Sequence, residues 1–274
     1  AWNESDLCKV IILKATGNKA FCAGGDVKQQ GEGQHAIKFF EEEYQLNHLI
    51  ATLDKPFVSF LDVGGGVGLS VHAPFRVATE NTVFAMPETK IGFFPDVGGS
   101  FFLPRMDGEV GTYLALTGAS LKGLDVFLSG IATHYVPSQR LPLLENRLSE
   151  IECDDHEVIN AAIEEFVAEH NHDHSYALGG NVRKSIDRVE DILKALEQEN
   201  SNWSRKTINT ILQMSPTSLK EKSDFARGVK HLLVEKEKTP PKWDPPSLEE
   251  VFDVDIDEFY FNPSGTQELE LLNI

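Results

Sequence analysis

Two carboxylates in apolar surroundings are the first residues of this sequence that can do chemistry. Glu88 follows Phe84-Ala-Met-Pro, and Asp96 follows Phe93-Phe-Pro eight residues further on. A carboxyl group in an apolar pocket has a raised pKa, which makes it a candidate for acid–base or nucleophilic catalysis. Because most Asp and Glu side chains are exposed to solvent, the alternative is that both belong to surface turns. Their spacing alone leaves the geometry open.

Two glycine-rich segments, Ala15–Asp26 and Gly64–His72, each come after an apolar run that is typical of a buried strand. N–H groups at a helix start stabilise developing negative charge, and glycine allows a ligand to approach the backbone closely. If the two loops converge, their N–H groups can flank one carbonyl oxygen. The alternatives are tight turns, with Asp26 as a helix cap. A dinucleotide-binding G-x-G-x-x-G is absent, because Leu69 stands where its third glycine would be.

Other chemistries fit the sequence less well. His170, His172 and His174 suggest a metal site, but their polar surroundings favour a surface loop, and we predict no metal. Ser70 is not in a G-x-S-x-G motif, which argues against a serine hydrolase. Cys22 lies in a glycine loop, where a small buried residue is more typical than a nucleophile.

Composition excludes several classes of protein. The 274 residues carry 25 Lys and Arg against 43 Asp and Glu, a formal net charge of −18. This charge argues against binding to nucleic acid or to anionic lipid. The three cysteines form no C-x-x-C pair, so a disulfide scaffold or a thiolate zinc site is not expected and a reducing compartment is. No apolar run approaches the roughly 20 residues of a membrane span.

The order of elements favours an α/β fold with its chemistry on loops. In the first part of the chain we predict a helix over Phe39–Leu49 and an apolar helix that the turn at Gly64–His72 opens. We predict strands at Lys9–Leu13, Phe57–Leu61, Phe75–Thr79 and Thr82–Ala85. From Leu141 onward helical periodicity dominates, with helices predicted at Ile159–Ala168, Ile186–Leu196 and Ile208–Leu212. The predicted organisation is therefore a catalytic core over residues 1–140 and a mainly helical region over 141–274.

Taken in order, these segments resemble the crotonase (enoyl-CoA hydratase/isomerase) superfamily. The motifs that carry the resemblance are Lys19–Asp26, Phe39–Tyr44, Gly64–His72, Phe84–Thr89, Ile91–Gly99, Leu116–Gly118, Met214–Leu219 and Asp224–Val229. The resemblance implies the ClpP/crotonase-like fold, a spiral of ββα units with a mainly helical C-terminal region that often serves oligomerisation. Compared with the family pattern, the chain begins inside an early strand–helix unit, so the N-terminal part of the core is expected to be missing. The segments near residues 26–39, 55–64 and 220–221 are also shorter than in the family pattern.

The resemblance also implies roles for particular residues. The N–H groups of Gly25 and Gly65 would form an oxyanion hole for a thioester carbonyl. The backbone at Ala23 would face the adenine of coenzyme A, and Lys28 would contact its phosphates. Glu43 matches a residue that contacts substrate in the hydrolase branch of the family.

Two positions separate hydrolases from hydratases. Hydratases carry a second catalytic Glu where this chain has Gly68, whereas Glu88 matches their other carboxylate and Asp96 is typical of the hydrolase branch. The resemblance therefore implies hydrolysis of 3-hydroxyisobutyryl-CoA in valine breakdown, in the mitochondrial matrix, with no cofactor because CoA is part of the substrate. Glu88 would attack the thioester to give a mixed anhydride, or activate water. Asp96 would position the substrate hydroxyl or transfer protons.

Two other functions stay open at this point. One is a different enzyme of the family, a hydratase or an isomerase, although Gly68 argues against a hydratase. The other is a scaffold subunit with the same fold, as in the small subunit of fungal mitochondrial ribosomes, with or without hydrolase activity. The partners expected are an acyl-CoA, a second copy of the chain or the mitochondrial ribosome, with no direct nucleic-acid contact and no membrane.

Overall fold

The computed structural model describes residues 2–17, 21–22, 34–62, 66–106, 108–169, 189–219, 235–237 and 239–251. The strands in these ranges are β1 (Ile11–Leu13), β2 (Phe57–Leu61), β3 (Phe75–Ala78), β4 (Val83–Ala85), β5 (Ser120–Lys122) and β6 (His134–Tyr135). They form a four-stranded parallel sheet in the order β1-β2-β3-β6 and a separate antiparallel pair, β4-β5. Each predicted strand is confirmed, with ends that differ by at most two residues.

The helices in the described part of the chain alternate with these strands and then replace them. They are α1 (Gln34–Thr52), α2 (Val67–Ser70), α3 (Gly99–Phe102), α4 (Val110–Thr117), α5 (Leu124–Leu128), α6 (Leu141–Ser149), α7 (His156–Glu164), α8 (Val189–Glu199), α9 (Asn202–Ile211) and α10 (Pro216–Leu219). The described residues also form four 3₁₀ turns, at Glu88–Ile91, Leu103–Arg105, Ser138–Arg140 and Leu248–Glu250. None of these helices is long and apolar enough to cross a membrane.

The apolar helix predicted after the glycine triplet is only four residues long. The hydroxyl of Ser70 donates to the carbonyl oxygen of Gly66 at 2.8 Å, a bond that is common where a Ser bends or ends a helix. Pro74 follows soon after, and a proline disfavours helical conformation in the residue before it. The chain can therefore turn at once into β3.

The parallel sheet carries one of the main cores. All five residues of β2 are buried, which is why four of them are apolar and the strand does not alternate between apolar and polar residues. Val58 of β2 packs in one cluster with Leu144 of α6 and Ile159 of α7. The first two helices after residue 140 thus share a core with the sheet, and the division of the chain at that residue stays a prediction.

Strand register explains why the two glycine loops meet. Strands β1 and β2 run parallel with Leu13 opposite Ser59, so their carboxyl ends lie at the same edge of the sheet. Each of these ends leads into one of the glycine-rich segments. Loops at the carboxyl edge of a parallel sheet are the usual place for a ligand site in α/β proteins.

The antiparallel pair positions the segment with Glu88. Phe84 of β4 lies opposite Leu121 of β5, and both side chains are buried with Met86 and Leu114. The chain leaves this core directly into the 3₁₀ turn that begins at Glu88.

The C-terminal helices support the same turn from another side. The amide of Ser215 donates to the carbonyl oxygen of Thr89 at 3.1 Å. Behind that bond, α8 and α9 close a further apolar cluster that includes Leu196, Ile211 and Met214. The helical region therefore contacts the segment that carries Glu88.

Candidate active site

Three carboxyl groups from separate segments form one electrostatic cluster. Glu43 lies on α1, Glu88 starts a 3₁₀ turn, and Asp96 lies just before α3. Burial, and then the nearby charge of Asp96, raise the pKa of Glu88 to about 8 and that of Glu43 to about 7. Burial likewise raises the pKa of Asp96 to about 6. The alternative that Glu88 and Asp96 are exposed turn residues is therefore wrong.

Two buried carboxylate oxygens of the cluster have no hydrogen bond to offset their burial. One carboxylate oxygen of Glu43 and one of Glu88 are buried and have no hydrogen-bond partner in the structure as described. A buried polar atom without a partner is costly, and it persists mainly where function or a bound molecule explains it. At neutral pH Asp96 is mostly ionised and Glu88 mostly protonated, so the cluster holds both an acceptor and a donor of protons.

One face of α1 carries Glu43 and several residues near it. Phe40, Glu43, Tyr44 and Asn47 follow the i, i+3, i+4, i+7 spacing of a single helical face. The ring of Phe40 lies 5.5 Å from the ring of Phe93, between their centroids. This contact packs α1 against the loop that connects Glu88 with Asp96.

The turn after Asp96 is strained and is held from two sides. Val97 has a φ of 48°, which is rare for a β-branched residue. The ring Nε2 of His72 lies 2.7 Å from the carbonyl oxygen of Val97 and donates to it. From the other side, the phenol oxygen of Tyr44 faces the backbone of Val97 and Gly98, which lowers the pKa of that phenol. Burial and the charges of Asp96 and Glu43 outweigh this effect and raise the pKa of Tyr44 to about 12. Strain of this kind is concentrated at functional sites.

Val97 packs directly against Gly68, the position at which the resemblance implies a second glutamate in hydratases. A Cβ on Gly68 would lie 2.6 Å from Cγ1 of Val97 and 3.3 Å from Oδ1 of Asn47. Neither gap admits a larger side chain without movement of the turn. The structure thus agrees with the sequence, because position 68 provides no second glutamate to act with Glu88.

The residues predicted for the oxyanion hole lie outside the described part of the chain. These are Gly25 and Gly65, and the same holds for Ala23 and Lys28. Their described neighbours do meet: a Cβ on Gly66 would lie 2.1 Å from the ring of Phe21 and 3.2 Å from the Cβ of Cys22. The segments that flank the two glycine loops are therefore in contact, and the oxyanion hole itself stays a prediction.

The remaining candidates take no part in this cluster. Ser70 donates its hydroxyl to the backbone within α2, and Cys22 is a half-buried free thiol. The three histidines of the suspected metal site lie outside the described residues. Within the described ranges, no three His, Cys, Asp or Glu side chains are arranged to hold a metal ion.

Sequence reasoning gave no role to Tyr44, Asn47 or Val97. The signal for the first two was present, because both share the helical spacing of Phe40 and Glu43. The positive φ of Val97 had no signal, since a β-branched residue is the last that one would place in that conformation.

Comparison with known proteins assigns the family. The family description "Enoyl-CoA hydratase/isomerase" matches residues 1–222. The chain belongs to the enoyl-CoA hydratase/isomerase family. The predicted crotonase fold is confirmed by a solved carnitinyl-CoA dehydratase from Mycobacterium thermoresistibile, with a TM-score of 0.80 and 28% identity over 98% of this chain and 88% of the other.

Two curated relatives within this family are more similar in sequence. The small ribosomal subunit protein mS47 of Neurospora crassa is 45% identical over 336 residues, covering 99% of this chain and 66% of its own length. The mitochondrial 3-hydroxyisobutyryl-CoA hydrolase of Rattus norvegicus is 41% identical over 98% of this chain and 81% of its own length. The hydrolase relative is mitochondrial, which supports a mitochondrial location. Because the first alignment exceeds the 274 residues of this chain, the relative has segments that the chain lacks.

Proposed function

We propose that the chain hydrolyses 3-hydroxyisobutyryl-CoA to 3-hydroxyisobutyrate and CoA. The observation that carries the proposal is the pairing of Glu88 with Asp96 beside a Gly68 that Val97 covers. Hydration of a double bond in this family uses two glutamates, and one of them is missing here. Hydrolysis needs a single nucleophile or base and a proton donor, and the cluster provides both.

The reaction begins with polarisation of the thioester carbonyl. In the proposed site the N–H groups of Gly25 and Gly65 hold the carbonyl oxygen and stabilise the negative charge that develops on it. Ionised Glu88 then either attacks the carbonyl carbon or removes a proton from water that attacks. The carbon–sulfur bond breaks, and the CoA sulfur leaves as a thiolate that takes up a proton.

Asp96 raises the pKa of Glu88 and, in the proposal, transfers protons. Its charge keeps the pKa of Glu88 high, so Glu88 is a strong base once ionised. If the first step gives a mixed anhydride, water then cleaves it and Glu88 is regenerated. In both routes Glu43 lies beside the acyl group, where the proposal makes it a substrate contact.

A thiol assay tests the proposal directly. Release of free CoA is measured from 3-hydroxyisobutyryl-CoA, acetyl-CoA and crotonyl-CoA, and hydration of crotonyl-CoA is followed separately by loss of its conjugated absorbance. The proposal expects rapid release from the hydroxyacyl thioester and no hydration. Hydration of crotonyl-CoA without thiol release would place the chain among the hydratases instead.

The second candidate is a ribosomal role, and the similarity to mS47 favours it. We propose that such a protein would act in the mitochondrial matrix and would contact protein surfaces rather than RNA, since the net charge of −18 opposes phosphate contacts. Co-sedimentation with small mitochondrial ribosomal subunits tests it. Association that survives high salt would support docking, whereas a homo-oligomer that sediments alone would favour a free enzyme.

A further inference from the structure

A buried amide next to the carboxylate cluster has no partner. Asn47 is only 4% exposed, and neither its carbonyl oxygen nor its amide nitrogen has a hydrogen-bond partner in the described structure. Leaving one such group unpaired in a protein interior costs roughly 1–3 kcal/mol. A side chain of similar volume such as Leu would fill the position without that cost. The amide is therefore hard to explain by packing.

The position of the amide points to a ligand. Its Oδ1 lies 3.3 Å from where a Cβ on Gly68 would be, the position from which hydratases project their second glutamate. One turn earlier on the same face of α1 is Glu43, which also has an unpaired buried oxygen. Asn47 thus presents one donor and one acceptor beside the groups that handle the thioester.

We infer that Asn47 binds the hydroxyl group of the acyl chain and sets the preference for hydroxyacyl over plain acyl thioesters. A hydroxyl donates one hydrogen bond and accepts others, which matches the two unpaired atoms of an amide. A neutral amide cannot take a proton as a glutamate can, so this contact recognises substrate without restoring hydration chemistry. The inference rests on the proposed hydrolase function. It leaves Asp96 to proton transfer, the other of its two predicted roles.

Discrimination should be strong because the site is buried. A site built to hydrogen-bond a hydroxyl rejects the analogue without one, since its polar atoms are then left unpaired. The matched pair of substrates is 3-hydroxyisobutyryl-CoA and isobutyryl-CoA, which differ only in that hydroxyl. The quantity to measure is the ratio of their kcat/KM values.

The test compares the chain with Asn47→Leu. We expect the ratio to fall by about 10- to 100-fold, through loss on the hydroxyacyl substrate, while the Tm does not fall. The matched control is His48→Leu, which also removes an unpaired buried polar atom from α1 and should leave the ratio unchanged. Asn47→Ala, which adds no branched bulk, serves as the second variant if the Leu variant does not fold.

Each other outcome overturns the inference in a distinguishable way. An unchanged ratio, or equal loss on both substrates, would mean that Asn47 acts on water or on packing, and the hydrolase function would stand. A wild-type chain that does not discriminate between the two substrates would also overturn it. A wild-type chain that hydrolyses neither would overturn the proposed function and the inference together.

Discussion

At the scale of single residues, the proposed mechanism depends on the charge state of Glu88. Its pKa is raised because burial removes solvent from the carboxylate and Asp96 repels its charge. The same two causes penalise the folded chain once Glu88 ionises. Activity and stability should therefore respond to pH in opposite directions.

Stability is expected to fall as pH rises from about 4.5 to about 8, the ordinary and the raised pKa of Glu88. In this window the folded chain holds a proton that the unfolded chain has released, so each increment of pH favours unfolding. Glu88→Gln removes the effect and should raise the Tm at pH 8.5 by roughly 3–6 °C, with little change at pH 4.5. Calorimetry at the two pH values measures this. The control is Glu41→Gln, which changes an exposed glutamate of α1 and should leave the Tm unchanged at both pH values. A Tm gain of Glu88→Gln that is equal at pH 4.5 and pH 8.5 would contradict the linkage.

The charge of Asp96 should be visible in the pH–rate profile. Asp96→Asn removes the repulsion that raises the pKa of Glu88 and Glu43, so both pKa values should fall. The acid limb of kcat/KM should move to lower pH by about one unit, even though the maximal rate drops by about 100-fold. Profiles from pH 5 to 9.5 would show it. An acid limb that stays in place would mean that Asp96 does not set the pKa of Glu88.

At the scale of elements, α1 and the segment from Glu88 to α3 hold the cluster together. Their contact includes the strained turn at Val97. The side chains of Tyr44 and His72 contact the backbone of this turn from two sides, and we call these two contacts its clamps. The turn places Asp96 at the end of the aromatic segment. Loss of either clamp should loosen the position of that carboxylate rather than unfold the chain.

Tyr44→Phe is expected to lower kcat by about 10-fold with little change in KM, because misplaced catalytic groups slow chemistry more than binding. The variant removes the phenol oxygen that faces the backbone of Val97 and Gly98, and it should also shift the acid limb of the pH–rate profile downwards. Steady-state kinetics across pH measures both effects. Tyr113→Phe on α4 is the matched control and should change neither. A Tyr44→Phe chain with a normal pH profile would assign the phenol to packing alone.

The close approach of α2 to this turn gives a second prediction at the same scale. Gly68→Ala should lower the free energy of unfolding by roughly 1–3 kcal/mol, because its Cβ would lie 2.6 Å from Cγ1 of Val97. Val97→Gly removes the obstructing atoms, so the double variant should lose clearly less than the sum of the single losses. Urea denaturation of all four proteins completes the cycle. Strict additivity would show that the two residues do not touch.

At the scale of the whole molecule, the order of residue types predicted the strands and the carboxylates of the site, but it did not predict tertiary contacts or backbone conformation. The strands were predictable because parallel strands buried on both faces, such as β2, consist mostly of apolar residues. Glu88 and Asp96 were predictable because carboxylates stand out among Phe, Met and Pro. By contrast, Tyr44 and Asn47 share a helical face with Phe40 and Glu43, but the residues that they contact lie more than 20 positions away, and helical spacing does not reveal those contacts. The left-handed conformation of Val97 is likewise imposed by its clamps and not by its own preference.

The scale of the whole chain also explains how an acidic protein can serve an anionic substrate. With a net charge of −18, the global field opposes CoA, so the phosphates need a local basic contact and helix N-termini. Lys28 is the residue predicted for that contact. In the proposed site the acyl end of the substrate would meet a cluster whose carboxyls are partly protonated at neutral pH, which would reduce the repulsion there.

The central claim is that Glu88 performs the hydrolysis of a hydroxyacyl thioester. The most direct measurement is the rate of free CoA release from 3-hydroxyisobutyryl-CoA by the wild-type chain and by Glu88→Gln, at pH 8.5 and saturating substrate. The account predicts rapid release by the wild type and a loss of at least about 100-fold in the variant, with binding of the thioester retained. A folded Glu88→Gln chain that turns over at the wild-type rate would contradict it.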